Sequence, residues 1–343
     1  MRVRPGGGPQ VRPPPTLATV AAAAGVSPAT VSRVVNGVET VAQEHRIAVQ
    51  EAITQLGYVP NRAARSLVTR RTGSVALLVR EPVGFAVSDP YVGSVIVAAS
   101  QCLAEHGCQL VVMMAREDDD TSAGEYARAG HIDGALLVSL HREDPLPQQL
   151  LSAGVPIVAC GRPPMDLPGL AYVDVDNIGG GRLAVARLLE TGRTRIATVA
   201  GPADMTGAQD RLRGFRAAVA DAGLNPDLVA TASFTQASGE RAVEQLLAAH
   251  ADIDGVFVAS DVMAFGALRA LRRMGRSVPS DVAVIGFDDI EAAQYADPPL
   301  TTVRQPAGEQ ARAMVEALMA QIRGEEPRGQ VTLTTSLVVR ESG

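Results

Sequence analysis

Between residues 74 and 287, short apolar runs alternate with amphipathic stretches, and the whole alternation occurs twice. This rhythm narrows the possible folds more than any other feature. SVALLV (74–79) is apolar at nearly every position, as a parallel strand covered on both faces must be. It is followed by a helix over about 91–106, strand QLVVMM (109–114), a short helix near 121–130 and strand GALLVS (134–139). A helix around 146–153 and strand PIVAC (156–160) complete the first round. The second round runs through a helix at 179–191, strand RIATVAG (195–201), a helix at about 208–222 and a strand near 228–232. It ends with a helix at 238–250, strand GVFVAS (255–260), a helix at 262–274 and strand VAVIGF (282–287). Parallel strands need a crossover between them, and a helix is the usual one. The pattern therefore predicts an α/β body with two parallel-sheet lobes. Ligands of such sheets bind beyond the strand C-termini, here in the crevice between the lobes.

The first 72 residues read differently. LATVAAAAGVSPATVSRVVN (17–36) places apolar residues at Val20, Ala21, Ala24, Val26, Val31 and Val34. This is the spacing of two short helices packed at a steep angle. Ala21 permits close approach, and Gly25 supplies the positive φ of the turn. Ser27 suits an N-cap and Pro28 a first helical residue. The segment predicts a helix-turn-helix with its second helix over about 28–36. An ordinary αα-hairpin in a core has the same pattern. A third amphipathic helix over 43–56 (Ile47, Val49, Ala52, Ile53, Leu56) ends at Gly57, and Pro60 blocks its continuation. Three short helices around one apolar centre make a small all-α headpiece over 16–59. Residues 60–72 are Arg-rich with a lone Leu67 and read as a linker.

Charge divides the chain at the same place. Residues 1–72 carry nine arginines against three acids, and the remainder carries 22 arginines against 34 acids, with no lysine anywhere. A basic head on an acidic body suggests that the head meets a polyanion. Residues 1–15 (MRVRPGGGPQVRPPP) lack the apolar segment of a secretory signal and read as a disordered basic tail. No apolar run reaches membrane-spanning length, so a cytoplasmic protein is expected. Cys102, Cys108 and Cys160 show no CxxC pairing and no nearby His partner, and the five histidines lack HExxH spacing. Neither a metal site nor a cofactor is expected. The GGG run at 179–181 lacks the GK[ST] and GxGxxG contexts of phosphate cradles and reads as close helix packing.

TVSRVVN, then GYVPNRAARSL, then a strand after Thr72 resembles the lactose-repressor (LacI/GalR) family, over about 16–340. The runs DNIGGGRLAVARLLETGRTRIATVAGP, RLRGFRAAV, FVASDVMAFGALRAL, VPSDVAVIGFDDIEAAQYADPPLTTVRQP and LVVRES are similar to that family's periplasmic-binding-protein-like effector domain. The resemblance implies a recognition helix in the major groove, with Pro28, Ala29 and Arg33 facing bases and Ser27, Thr30, Ser32 and Asn36 facing phosphates. It implies a hinge helix over 61–68 that folds on the operator, including Asn61, Arg62 and Ala64, with Leu67 wedged into a minor-groove base step. It implies an effector and dimerisation domain over 73–343, with lobe one at about 73–174 plus 304–330 and lobe two at about 175–303 plus 331–343. Arg211 and Asp288 match the family's ligand grip, Ser260 and Asp261 its strand-end pair, Phe234 its aromatic wall, and Asp89 and Tyr91 the loop after the first strand.

The chain departs from the family in three places. Ala18-Thr19 replaces a polar or charged pair in helix 1, Gly161-Arg162 replaces Asp-Arg after the PIVAC strand, and the segment between Tyr126 and Ile132 is about one turn short. The second change removes an expected sugar acceptor and gives Arg162 more weight. Asp288 or Asp289 could instead cap the next helix.

The resemblance implies a homodimeric repressor on a pseudo-palindromic DNA operator, controlled by a small molecule. A sugar is the expected effector and a nucleoside or purine the alternative. The chain has no trailing leucine heptads, which favours a dimer over a tetramer. A solute-binding protein without DNA contact shares the body's fold, but the helix-turn-helix and the lack of a signal sequence argue against it. An enzyme would need a catalytic constellation, and no nucleophile elbow, His–Cys pair or metal cluster is present in the sequence.

Overall fold

The computed structural model describes residues 15–35, 37–38, 40–58, 71–82, 84, 88–114, 122–325 and 329–343. Asn36, Asn61, Arg62, Ala64 and Leu67 lie outside the described residues. The chain divides between Thr72 and Gly73 into two compact units.

The first unit holds three helices, α1 (Leu17–Ala24), α2 (Pro28–Val35) and α3 (Gln43–Leu56). Thr16 caps α1 in a capping box with Thr19, which satisfies two backbone donors that a helix start leaves open. Thr19 is thus committed to the cap. Gly25 closes α1 at φ 65°, a left-handed conformation that costs glycine little. Ser27 Oγ accepts the backbone N–H of Thr30 at 3.1 Å and so caps α2. The core is Val20, Ala21, Val31, Val49, Ala52 and Tyr58, with Val26, Val34 and Ile53 packed at its edge. Two residues assigned to the apolar face of the third helix point elsewhere: Ile47 is 49% and Leu56 36% exposed. The centre is too small to cover a five-residue stripe, so only Val49 and Ala52 are buried in full.

The second unit is built on two six-stranded sheets. The strands of the first sheet run in the order β11 (Val331–Leu333), β5 (Ala171–Val175), β4 (Ile157–Cys160), β3 (Gly134–Val138), β1 (Ser74–Val79) and β2 (Gln109–Met114), all parallel. The second sheet runs β12 (Ser336–Val338), β10 (Thr301–Arg304), β9 (Ala283–Asp288), β8 (Gly255–Val258), β6 (Ile196–Ala200) and β7 (Val229–Thr231). Only β12 is antiparallel to its neighbour. The helices of the first lobe are α4 (Pro90–Glu105), α5 (Ser122–Arg128), α6 (Leu146–Ser152) and α11 (Ala307–Ile322). Those of the second are α7 (Asn177–Glu190), α8 (Thr206–Asp221), α9 (Gln236–Ala249) and α10 (Asp261–Arg273).

The sequence rhythm located β1–β4 and β6–β9 with their helices. It passed over β5, β10, β11, β12 and α11. The strands TTVR, VTL and SLV are three or four residues long and carry little period-two signal. The lobe boundaries shift accordingly. The chain crosses between lobes after Val175, after Arg304 and after Leu333. Residues 331–333 pair with β5 and therefore belong to lobe one, whereas Val175 closes a strand of lobe one and Arg304 one of lobe two.

Glycines let α7 and α8 meet at backbone contact. A Cβ on Gly181 would stand 2.5 Å from the Arg211 carbonyl oxygen, and one on Gly214 would stand 2.1 Å from that of Ile178. This approach fixes α8, and with it Arg211, against the helix that follows β5. Of the GGG run, Gly181 makes this approach and Gly180 lets α7 pack against Phe287 and Val303.

Candidate functional site: an effector cleft and a DNA-reading helix

A cleft opens between the two sheets, the place where small molecules bind in two-lobed folds of this kind. It is lined from the first lobe by residues at the ends of β1, β3, β4 and β5, including Glu81, Ser139, Cys160 and Asp174. From the second it is lined by residues following β8 and β9 and by the first turns of α8. Asp89, Tyr91, Arg162, Arg211, Phe234, Ser260 and Asp288 all face this cleft.

Arg211 forms the floor. Its guanidinium lies 3.7 Å over the Phe287 ring, its Nε donates to Asn177 Oδ1 at 2.9 Å, and its Nη1 donates to the Ala259 carbonyl at 2.6 Å. These contacts hold the fork rigid, and burial pulls its pKa below the usual arginine value. Asp288 Oδ1 stands 3.7 Å from Arg211 Nη1. Burial pushes the Asp288 carboxyl up to about 7, against the opposing pull of Arg211. Its backbone sits at φ 120°, as the chain turns sharply out of β9. Gln305 Nε2 donates to the same carboxylate. The pair offers a donor face and an acceptor face side by side, which suits neighbouring hydroxyls.

Asp289, next in sequence, has a different role. Its two oxygens accept from Arg304 Nε at 2.7 Å and Arg340 Nη2 at 2.6 Å, which ties the loop after β9 to β10 and the C-terminal segment. Asp261 departs from the expected effector set. It is fully buried beneath the cleft, where it accepts from Thr302 Oγ1 and from the backbone N–H of Ile290 at 3.0 Å. Ser260 faces the cleft while its Oγ caps α10. Arg162 is also redirected. Its Nη2 meets Asp210 Oδ2 at 2.6 Å across the lobes, so its charge is engaged by protein.

Phe234 holds φ 53° and lays its ring over Gly201, where any Cβ would stand 2.3 Å from it. Asp89 caps α4 by accepting from the Tyr91 N–H at 2.9 Å, and burial raises its pKa. The Tyr91 hydroxyl donates to Gln310 Oε1 at 2.7 Å, and burial raises its pKa well above the ordinary phenol value.

Sequence reasoning missed several lining groups. Asp174 is the most informative. Its carboxylate lies 3.8 Å from where a Gly161 Cβ would be, so the neighbouring strand supplies an acid beside the position that lacks one. A one-strand shift of this kind leaves no local signature. Gln305 and Gln310 were missed because β10 and α11 were not assigned, and Asn177 because its helix was expected to start two residues later. At the mouth, His141 bridges Glu81 at 3.2 Å and Asp204 at 2.7 Å. The Glu81 hydrogen bond does most to push its pKa up to about 9.

In the headpiece, Ser27, Pro28, Ala29 and Arg33 are exposed, while Thr30 and Ser32 are half-buried. Pro28, Ala29 and Arg33 lie on α2, with Val31 facing the core instead. The three expected base-reading residues therefore sit on the solvent side of one short helix. Among the described residues no single helix is long and apolar enough to cross a membrane.

Residues 16–61 match the model of the bacterial regulatory proteins of the lacI family, and residues 185–343 match a periplasmic binding protein-like domain. The HTH-type transcriptional regulator CelR of Thermobifida fusca is 49% identical over 336 residues, covering 96% of this chain and 98% of that protein. The ribose operon repressor of Escherichia coli (strain K12) is 35% identical, covering 90% and 93%. A solved complex of CelR with cellobiose superposes with a TM-score of 0.76 at 46% identity, covering 96% of this chain and all of that one. The Lac repressor dimer bound to operator and an anti-inducer gives 0.84 at 26% identity, covering 96% and 99%. With a helix-turn-helix, a two-lobed cleft and relatives matched along nearly their whole length, this chain belongs to the lacI family of bacterial regulatory proteins.

Proposed function

We propose that this protein is a cytoplasmic, homodimeric transcriptional repressor whose grip on a pseudo-palindromic operator is set by a sugar bound between its lobes. The observation that carries the effector class is the Arg211–Asp288 pair at the floor of a cleft walled by Phe234. A pyranose presents vicinal hydroxyls at its edge and an apolar face above its C–H bonds, and this cleft offers a partner to each. Asp174 supplies the acceptor that Gly161 does not. The 46% identical relative was solved with cellobiose. We therefore take cellobiose or a related glucose oligosaccharide as the effector of first choice. The effector-binding set is Asp89, Tyr91, Asp174, Arg211, Phe234, Ser260 and Asp288, with Arg162 as a strut between lobes. Base contacts are assigned to Pro28, Ala29 and Arg33, phosphate contacts to Ser27, Thr30, Ser32 and Asn36, and the minor groove to the segment with Asn61, Arg62, Ala64 and Leu67. No catalytic role is proposed, because among the described residues of the cleft no nucleophile is hydrogen-bonded to a His, Asp or Glu. Cys160, the one thiol facing the cleft, has its pKa pushed up to about 11 by burial.

Fluorescence anisotropy on a panel of pseudo-palindromic duplexes, with and without cellobiose, other glucose oligosaccharides, ribose and nucleosides, tests this reading. Sequence-selective binding that one sugar weakens by a large factor supports it. Selective binding shifted by a nucleoside would replace the effector class, and weak, sequence-blind, salt-dependent binding would remove the operator-reading role.

A further inference from the structure

Away from the cleft, α4 and α11 pack side by side in lobe one, and near the C-terminal end of α4 they bring together a thiol, an imidazole and a carboxylate. Cys102 and His106 are four residues apart, one helical turn, and so share a face of α4 and the residue that follows it. Glu316 reaches across from α11. His106 Nε2 lies 3.2 Å from Glu316 Oε1, and Cys102 Sγ lies 3.9 Å from the same oxygen. All three ligand atoms fall within 4.8 Å of one another.

Bonds of about 2.0 Å to nitrogen or oxygen and 2.3 Å to sulfur place tetrahedral zinc ligands about 3.3–3.6 Å apart. The His–Glu separation is already there, and the thiol needs only a modest approach. His106 and Glu316 side chains keep 25% and 45% of their exposure, so they can rotate inward and leave the outer side open to water. Cys102 is fully buried and fixes the inner corner. We propose that Cys102, His106 and Glu316 form a site for a borderline-soft divalent ion of the zinc class, with solvent as the fourth ligand. One sulfur, one nitrogen and one oxygen suit such an ion, whereas magnesium and calcium take oxygen ligands.

Arg312 stands 3.8 Å from Cys102 Sγ and would repel a cation. Its charge is already matched by Glu105, which takes it bidentately at 2.9 and 3.0 Å. Burial raises the Cys102 pKa and Arg312 offsets this only in part, so the ion itself must displace the thiol proton. On binding, the Cys102 S–H bond breaks, its proton leaves to solvent, and the sulfur lone pair forms the bond to metal. The ion would staple two helices of lobe one, and the other ends of these helices carry Tyr91 and its partner Gln310. The i, i+4 pairing of Cys102 with His106 is legible in the sequence and runs against the expectation that no histidine lies near the cysteines.

The test is a Co²⁺ titration of the reduced, chelator-treated full-length protein, followed by Zn²⁺ competition. The expected result is a thiolate-to-cobalt charge-transfer band with visible bands of tetrahedral intensity, erased by Zn²⁺ and accompanied by proton release. Cys102→Ser removes the charge-transfer band. His106→Asn and Glu316→Gln, at partly exposed positions, each weaken Co²⁺ binding at least about tenfold, since losing a ligand costs no less than losing a ligand's outer hydrogen-bond partner. Cys108→Ser leaves the spectrum unchanged. No charge-transfer band, a band that survives Cys102→Ser, or full affinity in both the His106 and Glu316 variants overturns the proposal. Should the Cys102 variant misfold, the other two decide it.

Discussion

His141 Nδ1 lies 2.7 Å from Asp204 Oδ2, and the two residues belong to opposite lobes of the effector domain. His141 follows β3 in lobe one and Asp204 follows β6 in lobe two, while Glu81 holds the other ring nitrogen at 3.2 Å. With Arg162–Asp210 at 2.6 Å, two ion pairs tie the lobes across the cleft. Both bear on the angle between lobes, through which the proposed effector would act on the operator.

The His141 pair should therefore make lobe coupling depend on pH. Its folded-state pKa is raised from 6.5 to about 9, first by the Glu81 hydrogen bond. The stabilisation is fully present below pH 6.5 and is lost as pH rises through about 9. Urea unfolding of the effector domain should show a decline in stability between pH 7 and pH 10. His141→Asn should show a lower midpoint at pH 7 and a weaker decline. Equal decline in both proteins would remove the pair from the account.

Asp288 gives the opposite sign for ligand. Burial raises its carboxyl to about 7, so near neutrality a substantial fraction is protonated and accepts hydroxyl hydrogen bonds less well. A sugar that donates to Asp288 should bind more tightly as pH rises from 6 to 8. Calorimetry should show proton release on binding at pH 7. Asp288→Asn should bind at least about tenfold more weakly and flatten the profile, because a charge-assisted hydrogen bond contributes about 1.5–3 kcal/mol. An unchanged pH profile in Asp288→Asn would place the titrating group elsewhere.

Arg33 is the one cation among the three residues of α2 proposed to face bases. A bidentate contact to guanine discriminates by about 1–3 kcal/mol, so Arg33→Ala should relax selectivity at one base pair per half-site. A phosphate contact predicts something else: weakening on every sequence, and a salt slope reduced by about one. Anisotropy on single-substituted operators at several salt concentrations separates the two outcomes.

Legibility followed element length and locality. Apolar strands such as 74–79 and 134–138, and capped helices such as α1 and α2, carry their signals within a few residues. The three-residue edge strands do not, and they set the lobe boundaries. Helix α11 was legible in principle, since Ala311, Met314, Val315, Leu318 and Met319 repeat at helical spacing and are all buried. At the site, Arg211 and Asp288 were expected from the resemblance, and both line the cleft, Arg211 from α8 and Asp288 from the end of β9. Asp261 was expected in the cleft beside Ser260, but it opens α10 and is buried beneath the cleft, and of the two only Ser260 lines it. Asp174 and His141 depend on which strands become neighbours, a fact about topology that no local window contains.

Gly214 tests the seating of Arg211. An alanine there gains about 1 kcal/mol of helix propensity, yet its Cβ would stand 2.1 Å from the Ile178 carbonyl oxygen. Backbone cannot yield as a side chain does, so the clash wins. Gly214→Ala should destabilise the effector domain by about 1–3 kcal/mol in urea and weaken effector binding as α8 shifts. Stability at or above wild type would mean that the two helices separate easily.

Among its described residues the headpiece buries Val20, Ala21, Val31, Val49, Ala52 and Tyr58, a small core for three helices. Val20→Ala removes about two methylene equivalents and leaves a cavity, a cost of about 2–3 kcal/mol. A unit this small has little stability to lose. The variant should lose selective operator binding while effector binding, carried by the separate unit after Thr72, stays at wild-type affinity. Anisotropy for DNA and calorimetry for sugar on the same preparation read the two halves independently. Concurrent loss of both activities would show that the headpiece and the effector domain fold as one cooperative unit.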